Sequence, residues 1–174
     1  VDEGRCWAVN VIGVGFDACV ARRVNRRTRV IGGLPAYLAC VGMELLWNRP
    51  TELRMCVDGE TWEGLALLLA VANARSYGAG MLIAPHAEVD DGLLDVVLVE
   101  HMSRACFVRA FPRVMRGTHL SHPAVHAWRG SEVVLETPEP ALVLVDGDLK
   151  AETPLTVRVA PGRARLWLPE PTDE

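Results

Sequence analysis

At 174 residues the chain suits one domain or two small ones, and half of its residues are hydrophobic, so a sizeable core is available. A net charge of −4 argues against nucleic acid as the main partner, because that partner usually leaves a basic footprint on the protein. The most apolar run, residues 64–74, is shorter than the roughly 20 residues of a membrane-spanning helix, so the expectation is a cytoplasmic protein with, at most, peripheral contact at the inner membrane face.

In chain order, RCWAVNVIG (5–13) is rich in β-formers and ends among glycines, which predicts a strand and a turn. FDACVARRVNRR (16–27) predicts a short helix with Asp17 near its start. LPAYLACVGMELLWNRP (34–50) predicts another, with Pro35 suited to its first turn and Pro50 to its end. TELRMCVD (51–58) and TWEGLALLLAVAN (61–73) flank Gly59 and Glu60 as a hairpin. MLIAP (81–85) and LLDVVLVE (93–100) are predicted strands, joined by the acidic loop 86–92. Residues 103–117 predict a helix capped by Ser103 and ended by Gly117. Phe107, Phe111 and Val114 form one stripe along it, Arg109, Arg113 and Arg116 another, and Pro112 should kink it. The remainder reads as strands at 133–136, 141–146, 154–160 and 163–169. Short strands divided by Gly, Pro and Asp turns indicate an α+β fold, mainly β: an antiparallel β-sandwich with two or three helices.

Several motifs invite chemistry. The glycines of IGVGFDA (12–18) and VIGGLPAY (30–37) could expose backbone N–H groups to a phosphate, but no GK[ST] follows, and structural turns are the favoured reading. His119, His122 and His126 have suggestive metal spacing, yet Pro123 prevents one helix from aligning them. The five arginines of RRVNRRTR (22–29) suit an anionic lipid or phosphate, or simply a solvated helix face. Glu88, Asp90, Asp91 and Asp95 crowd one loop; such oxygens suit a hard cation, or make an exposed acidic turn. The scattered cysteines, Cys6, Cys19, Cys40, Cys56 and Cys106, read as buried free thiols. VDG occurs twice, at 57–59 and 145–147, and Asp-Gly is a strong signal for a tight hairpin turn.

NARSYGAGMLIAPHAEVDDGLLDVVLVE (73–100) resembles a pattern of the soluble bacterial diacylglycerol kinase and sphingosine kinase family of lipid kinases. NVIGVGFDA (10–18), RGTHLSHPAVH (116–126) and VDGD followed by PLTVRVAP (145–161) fall in that family's order and spacing. The resemblance is to the C-terminal domain, a β-sandwich similar to that of NAD kinase, and it covers nearly the whole chain. It implies that residues 1–174 are the lipid-substrate domain, and that ATP binds mainly to an N-terminal GGDGT-bearing domain not contained in this sequence.

The resemblance also assigns parts. Asp58 in the first VDG would be a turn residue. Asp146 in the second would be the general base that takes the proton of the lipid hydroxyl, as a kinase carboxylate does. Asp148 stands where the family has Glu, one carbon shorter. A structural Mg²⁺ would be held by the Asp91 side chain and the backbone carbonyls of Glu88 and Leu93. The implied partners are a lipid substrate, ATP, Mg²⁺ and the N-terminal kinase domain; strand edges left open could also pair two copies as a homodimer. Two other readings stay open: a non-catalytic lipid-binding or regulatory module, and a kinase of a soluble substrate such as NAD.

Overall fold

The computed structural model describes residues 5–27, 44, 50–78 and 80–164, the side chains of 23–27 excepted. The predicted helix at 34–50, Glu44 and Pro50 apart, and most of the predicted strand at 163–169 lie outside the described residues. Within them the order is β1 (Val11–Gly15), α1 (Phe16–Arg27), β2 (Thr51–Val57), β3 (Glu60–Ala72), β4 (Leu94–Glu100), α2 (Arg104–Val114), a 3-10 turn (His119–Ser121), β5 (Val125–Gly130), β6 (Glu132–Glu136), β7 (Leu142–Val145), β8 (Asp148–Glu152) and β9 (Leu155–Arg158). No helix among the described residues is long and apolar enough to cross a membrane.

All strand pairs are antiparallel. They run β8-β7-β1-β3-β2-β6-β9, with β4 against β3 and β5 against β4. The long β3 is the hinge of this arrangement. Its residues 60–66 pair with β2, and its residues 68–72 pair with both β1 and β4. The two lengths belong to two layers that close over one core. Leu53 and Met55 of β2, Leu69 of β3, Val96 and Leu98 of β4, Val133 and Leu135 of β6 and Val143 of β7 meet there. This is the β-sandwich that the strand pattern predicts.

β4 explains its own continuous apolar run. Leu94, Val96 and Leu98 face the inner core, while Val97 and Val99 face a second cluster under α1 and α2. A strand covered on both faces loses the polar alternation of a half-solvated one. Each such side chain contributes about 1.5–3 kcal/mol on burial.

α2 starts where Ser103 Oγ accepts the Cys106 N–H at 3.3 Å. Phe107 and Val114 are buried and Phe111 half-buried, as the predicted stripe requires. The helix continues through Pro112, which leaves the Val108 carbonyl without its usual donor on an exposed turn. Gly117 ends the segment at φ +66, and a Cβ there would stand 2.9 Å from Pro85 Cβ.

Four expectations need correction. The first strand begins at Val11, because the N–H groups of Val9, Asn10 and Val11 are taken by a side chain. Residues 81–85 make only one bridge, Tyr77 to Met81. Met81, Ile83 and Ala84 are buried as a strand's would be, but the backbone coils and bonds to Val114 and Arg75 instead. β5 is a strand that the histidine-rich sequence hides, since it pairs with β4 alone and has no apolar run. The described cysteines are unbridged, but Cys6 is exposed and Cys19, Cys56 and Cys106 are half-buried rather than buried.

Candidate functional site

β1 ends at Gly15, whose φ of +89 turns the chain sharply into α1. A Cβ at this position would meet the Leu67 carbonyl oxygen at 2.8 Å. The turn carries Phe16 and Asp17 under the sheet. Asp17 folds back over Gly13, where even a methyl would lie 3.3 Å from the carboxylate. The two glycines of GVGFD are therefore structural, as expected, but what they make room for is a buried acid.

Asp17 is 7% exposed, and Tyr77 donates its hydroxyl to Asp17 Oδ2 at 2.5 Å. Burial pushes the carboxyl up to about 6, and the Tyr77 hydrogen bond offsets only part of that. The pair lies in the wall of a cavity of about 60 Å³. The other walls are apolar: Leu68 and Val99 of the sheet, Phe107, Phe111 and Val114 of α2. His119 also lines it. Its Nε2 is 2.9 Å from the Ile83 carbonyl, which can only accept, so Nε2 carries the proton and Nδ1 is a bare acceptor. That Nδ1 is buried without a partner, and burial holds the imidazole below its ordinary range.

The second VDG forms the β7–β8 turn, with Asp146 at φ +49 and Gly147 at φ +93. The Asp146 carboxylate accepts the N–H of Val9 at 2.7 Å, of Asn10 at 2.9 Å and of Val11 at 3.0 Å. Its own N–H donates to the Val11 carbonyl. Asp146 thus fastens the start of β1, two residues before the Gly13 over which Asp17 folds. Asp148 is exposed and pairs with Lys150 at 3.0 Å. The first VDG repeats the device. Asp58, at φ +45, accepts the N–H of Ser131 at 2.8 Å and of Glu132 at 2.9 Å, and donates its own N–H to the Glu132 carbonyl. The backbone bonds from Ser131 and then Glu132 hold its carboxyl below the usual range.

In the acidic loop, Asp91 Oδ1 accepts the Leu93 N–H at 2.9 Å, and Oδ2 is bonded to the Arg129 guanidinium. Arg129 Nε also faces Asp95 Oδ2 at 3.5 Å, directly across the β4–β5 pair. Burial raises the Asp95 carboxyl, and Arg129 opposes that. Glu88 is exposed, and among the described residues no three His, Cys, Asp or Glu side chains gather as a metal site. In the expected set of Asp91 and the Glu88 and Leu93 carbonyls, the Asp91 carboxylate is already bonded by the Leu93 N–H and the Arg129 guanidinium, so a cation there would compete with Arg129 for Oδ2.

Residues 10–168 match the family described as the YegS C-terminal NAD kinase beta sandwich-like domain. The chain belongs to this family. A diacylglycerol kinase of Mycobacterium tuberculosis is 34% identical over 164 residues, 94% of this chain and 52% of that protein. A protein of Xanthomonas euvesicatoria named as a probable lipid kinase, YegS-like, is 30% identical over 172 residues, 97% of this chain and 55% of its own length. The crystal structure of a diacylglycerol kinase from Bacillus anthracis superposes with a TM-score of 0.59 at 16% identity, over 89% of this chain and 47% of that one. The chain thus spans about half the length of the curated relatives it matches.

In this YegS-type domain the predicted site residues fall into two places. Asp146 and Asp148 share one turn at the start of β1, and Glu88, Asp91 and Leu93 share the loop before β4. The histidines separate: His119 enters the cavity, His122 Nε2 lies 3.4 Å from Cys106 Sγ, and His126 pairs with Glu100 at 3.0 Å. Asp17, Tyr77 and Arg129 were not singled out by sequence. The signal for Asp17 was present, an acid set in the apolar stretch GVGFDACV.

Proposed function

We propose that this chain is the lipid-substrate half of a kinase that transfers the γ-phosphoryl group of ATP to the hydroxyl of diacylglycerol or a related long-chain alcohol. The observation that carries the reading is an apolar cavity with a buried carboxylate–phenol pair in its wall. Apolar walls suit an acyl chain, and a carboxylate suits a hydroxyl that donates to it. They do not suit NAD, whose phosphates and sugars would find little there. The names of the relatives point the same way. A cavity of about 60 Å³ holds little more than a few waters, so an acyl chain enters only as α2 shifts outward.

In this reading the lipid oxygen attacks the γ-phosphorus, the bond from phosphorus to the β–γ bridging oxygen breaks, ADP leaves, and the hydroxyl proton passes to a carboxylate. Asp17 holds the hydroxyl end of the lipid. Asp146 is the proposed acceptor of the proton. A carboxylate has about four acceptor positions, and Asp146 keeps one after binding three backbone N–H groups. Asp148 adds negative charge to the same turn. Mg²⁺ bound with the nucleotide would supply charge neutralisation at the phosphates. ATP itself is held by a second domain, since GGDGT does not occur in this sequence. The same reading places the protein in the cytoplasm, at the inner membrane face.

The test is phosphoryl transfer from labelled ATP to diacylglycerol. A full-length protein containing this chain is expected to make labelled phosphatidate, and the 174-residue chain alone is expected to make none. Failure of the full-length protein on every long-chain alcohol would overturn the lipid reading; full turnover by the chain alone would overturn the division of labour.

A further inference from the structure

Although the chain has 22 acidic residues, none lies between Glu100 and Glu132. α2 sits in that stretch. Its inward face roofs the cavity, and its outward side carries exposed Arg109 and Arg113 at i and i+4, with exposed Arg104 at the helix start and exposed Arg116 in the turn just past its end. None of these four is ion-paired among the described residues. Beside them, Val108 and Met115 stand seven residues apart and are 54% and 45% exposed.

We infer that this face of α2 is a docking surface for an anionic bilayer. Guanidinium groups pair bidentately with phosphate, and basic side chains near an anionic leaflet are drawn to it. The apolar pair decides between polyanions: a nucleic-acid backbone gives Val108 and Met115 nothing to bury in, whereas the boundary between headgroups and acyl chains does. The helix is also the cavity's roof. Docking would set that roof against the reservoir of long-chain molecules and draw outward the element that must move for one to enter. The inference goes beyond the lipid-kinase reading and stands if that reading fails, because it rests on charge and exposure alone.

The experiment is sedimentation of the 174-residue chain with vesicles of phosphatidylcholine, with and without phosphatidylglycerol. Binding is expected only with the anionic lipid and should weaken as salt rises. Arg109→Gln/Arg113→Gln/Arg116→Gln should lower partition at least about tenfold, Val108→Ser/Met115→Ser a few-fold, and Arg54→Gln, on β2, not at all. Equal binding to neutral vesicles overturns the inference, as does retained binding by the triple variant with an unchanged circular dichroism spectrum. Capture by heparin or RNA without capture by anionic vesicles overturns it in favour of a nucleic-acid-like partner. Should the triple variant fail to fold, the single variants Arg109→Gln, Arg113→Gln and Arg116→Gln decide, because salt dependence alone does not separate this face from the arginines of residues 22–29. A protein that docks but phosphorylates no lipid would refute the kinase reading and leave the docking surface intact.

Discussion

At residues 57–59 and 145–147 the chain turns back through Val-Asp-Gly, each time with the aspartate in the left-handed region. Each carboxylate then takes successive N–H groups from the strand antiparallel to its own hairpin: β6 for Asp58, β1 for Asp146. The local chemistry is nearly the same, so the tripeptide by itself tells a turn from nothing else. The difference lies in what the fastened strand leads to. β1 runs through Gly13 and Gly15 to Asp17 and the cavity. The segment held by Asp58 follows Arg129, which grips Asp91 and Asp95. One hairpin therefore steadies a buried acid in an apolar cavity, and the other steadies the counter-ion of the acidic loop.

Under the proposed lipid-kinase reading, the sharpest test of that contrast is Asp17→Asn in a longer protein that contains this chain. It keeps the acceptor for Tyr77 but removes the charge, and lipid phosphorylation should fall about 100-fold if the side chain positions the hydroxyl. Stability should move the other way. The folded-state carboxyl is raised to about 6 from 3.8, so the folded chain holds this proton more tightly than the unfolded one. Stability is then lost as pH rises between those values, by about 3 kcal/mol in all. Asp17→Asn should therefore melt higher than the parent above pH 6 and no higher at pH 4. A variant that is less active and also less stable at neutral pH would count against the assignment.

Next comes the pair Asp146→Asn and Asp58→Asn. Each puts an amide N–H against a backbone N–H, and both should lower the melting temperature by a similar few degrees. The carboxyl of Asp58 is lowered in the folded state, so its contribution is present at neutral pH and is lost as pH falls through that lowered value; the Asp58→Asn defect should fade in acid. Turnover separates the twins. Asp146→Asn should abolish most phosphoryl transfer at a temperature where it is fully folded, and Asp58→Asn should not. Equal loss in both would make Asp146 a fastener only.

Local chemistry was legible wherever a residue's own backbone preference decides the structure. Gly15 and Asp17 bracket a sharp helix entry, and residues 16–27 read as the helix α1 that is found. Asp-Gly marked both turns and gave the β2–β3 hairpin whole, but the return strand β8 of the second, whose residues alternate exposed and half-buried, was not read. Residues 81–85 failed for a physical reason: burial of Met81, Ile83 and Ala84 produces the same apolar pattern whether the backbone pairs or coils. β5 was hidden because an edge strand needs no apolar run. Glycine spacing pointed at Asp17 without saying so, since the space Gly13 leaves can be filled by a turn or by an acid. Arg129 was illegible, because its partners lie 34 and 38 positions away and only the β4–β5 register joins them.

Arg129→Gln tests the other half of the contrast. It leaves Asp91 and Asp95 facing each other without their counter-ion, and Asp95 is 11% exposed at its side chain. The melting temperature should fall, more at neutral pH than in acid, where the carboxyls protonate. If the guanidinium occupies the place a cation would take, the parent should melt alike in Mg²⁺ and in chelator, while Arg129→Gln should regain part of its loss on adding Mg²⁺. A parent stabilised strongly by Mg²⁺ would show that Asp91 opens to metal despite Arg129.

Asp148→Glu is expected to do least, and for that reason reports on geometry. Asp148 is 65% exposed at its side chain, beside Lys150. Lengthening it by one methylene gives the Glu that the resemblance implies at this position, and an exposed ion pair contributes little to stability. The melting temperature should not move, and turnover should stay within about twofold, the change that roughly 0.5 kcal/mol allows. A large gain in turnover would mean that the β7–β8 turn faces the reacting groups so closely that one methylene matters. Asp146 would then be more than the mirror of Asp58, because a turn that merely fastens a strand has no use for the reach of its neighbour.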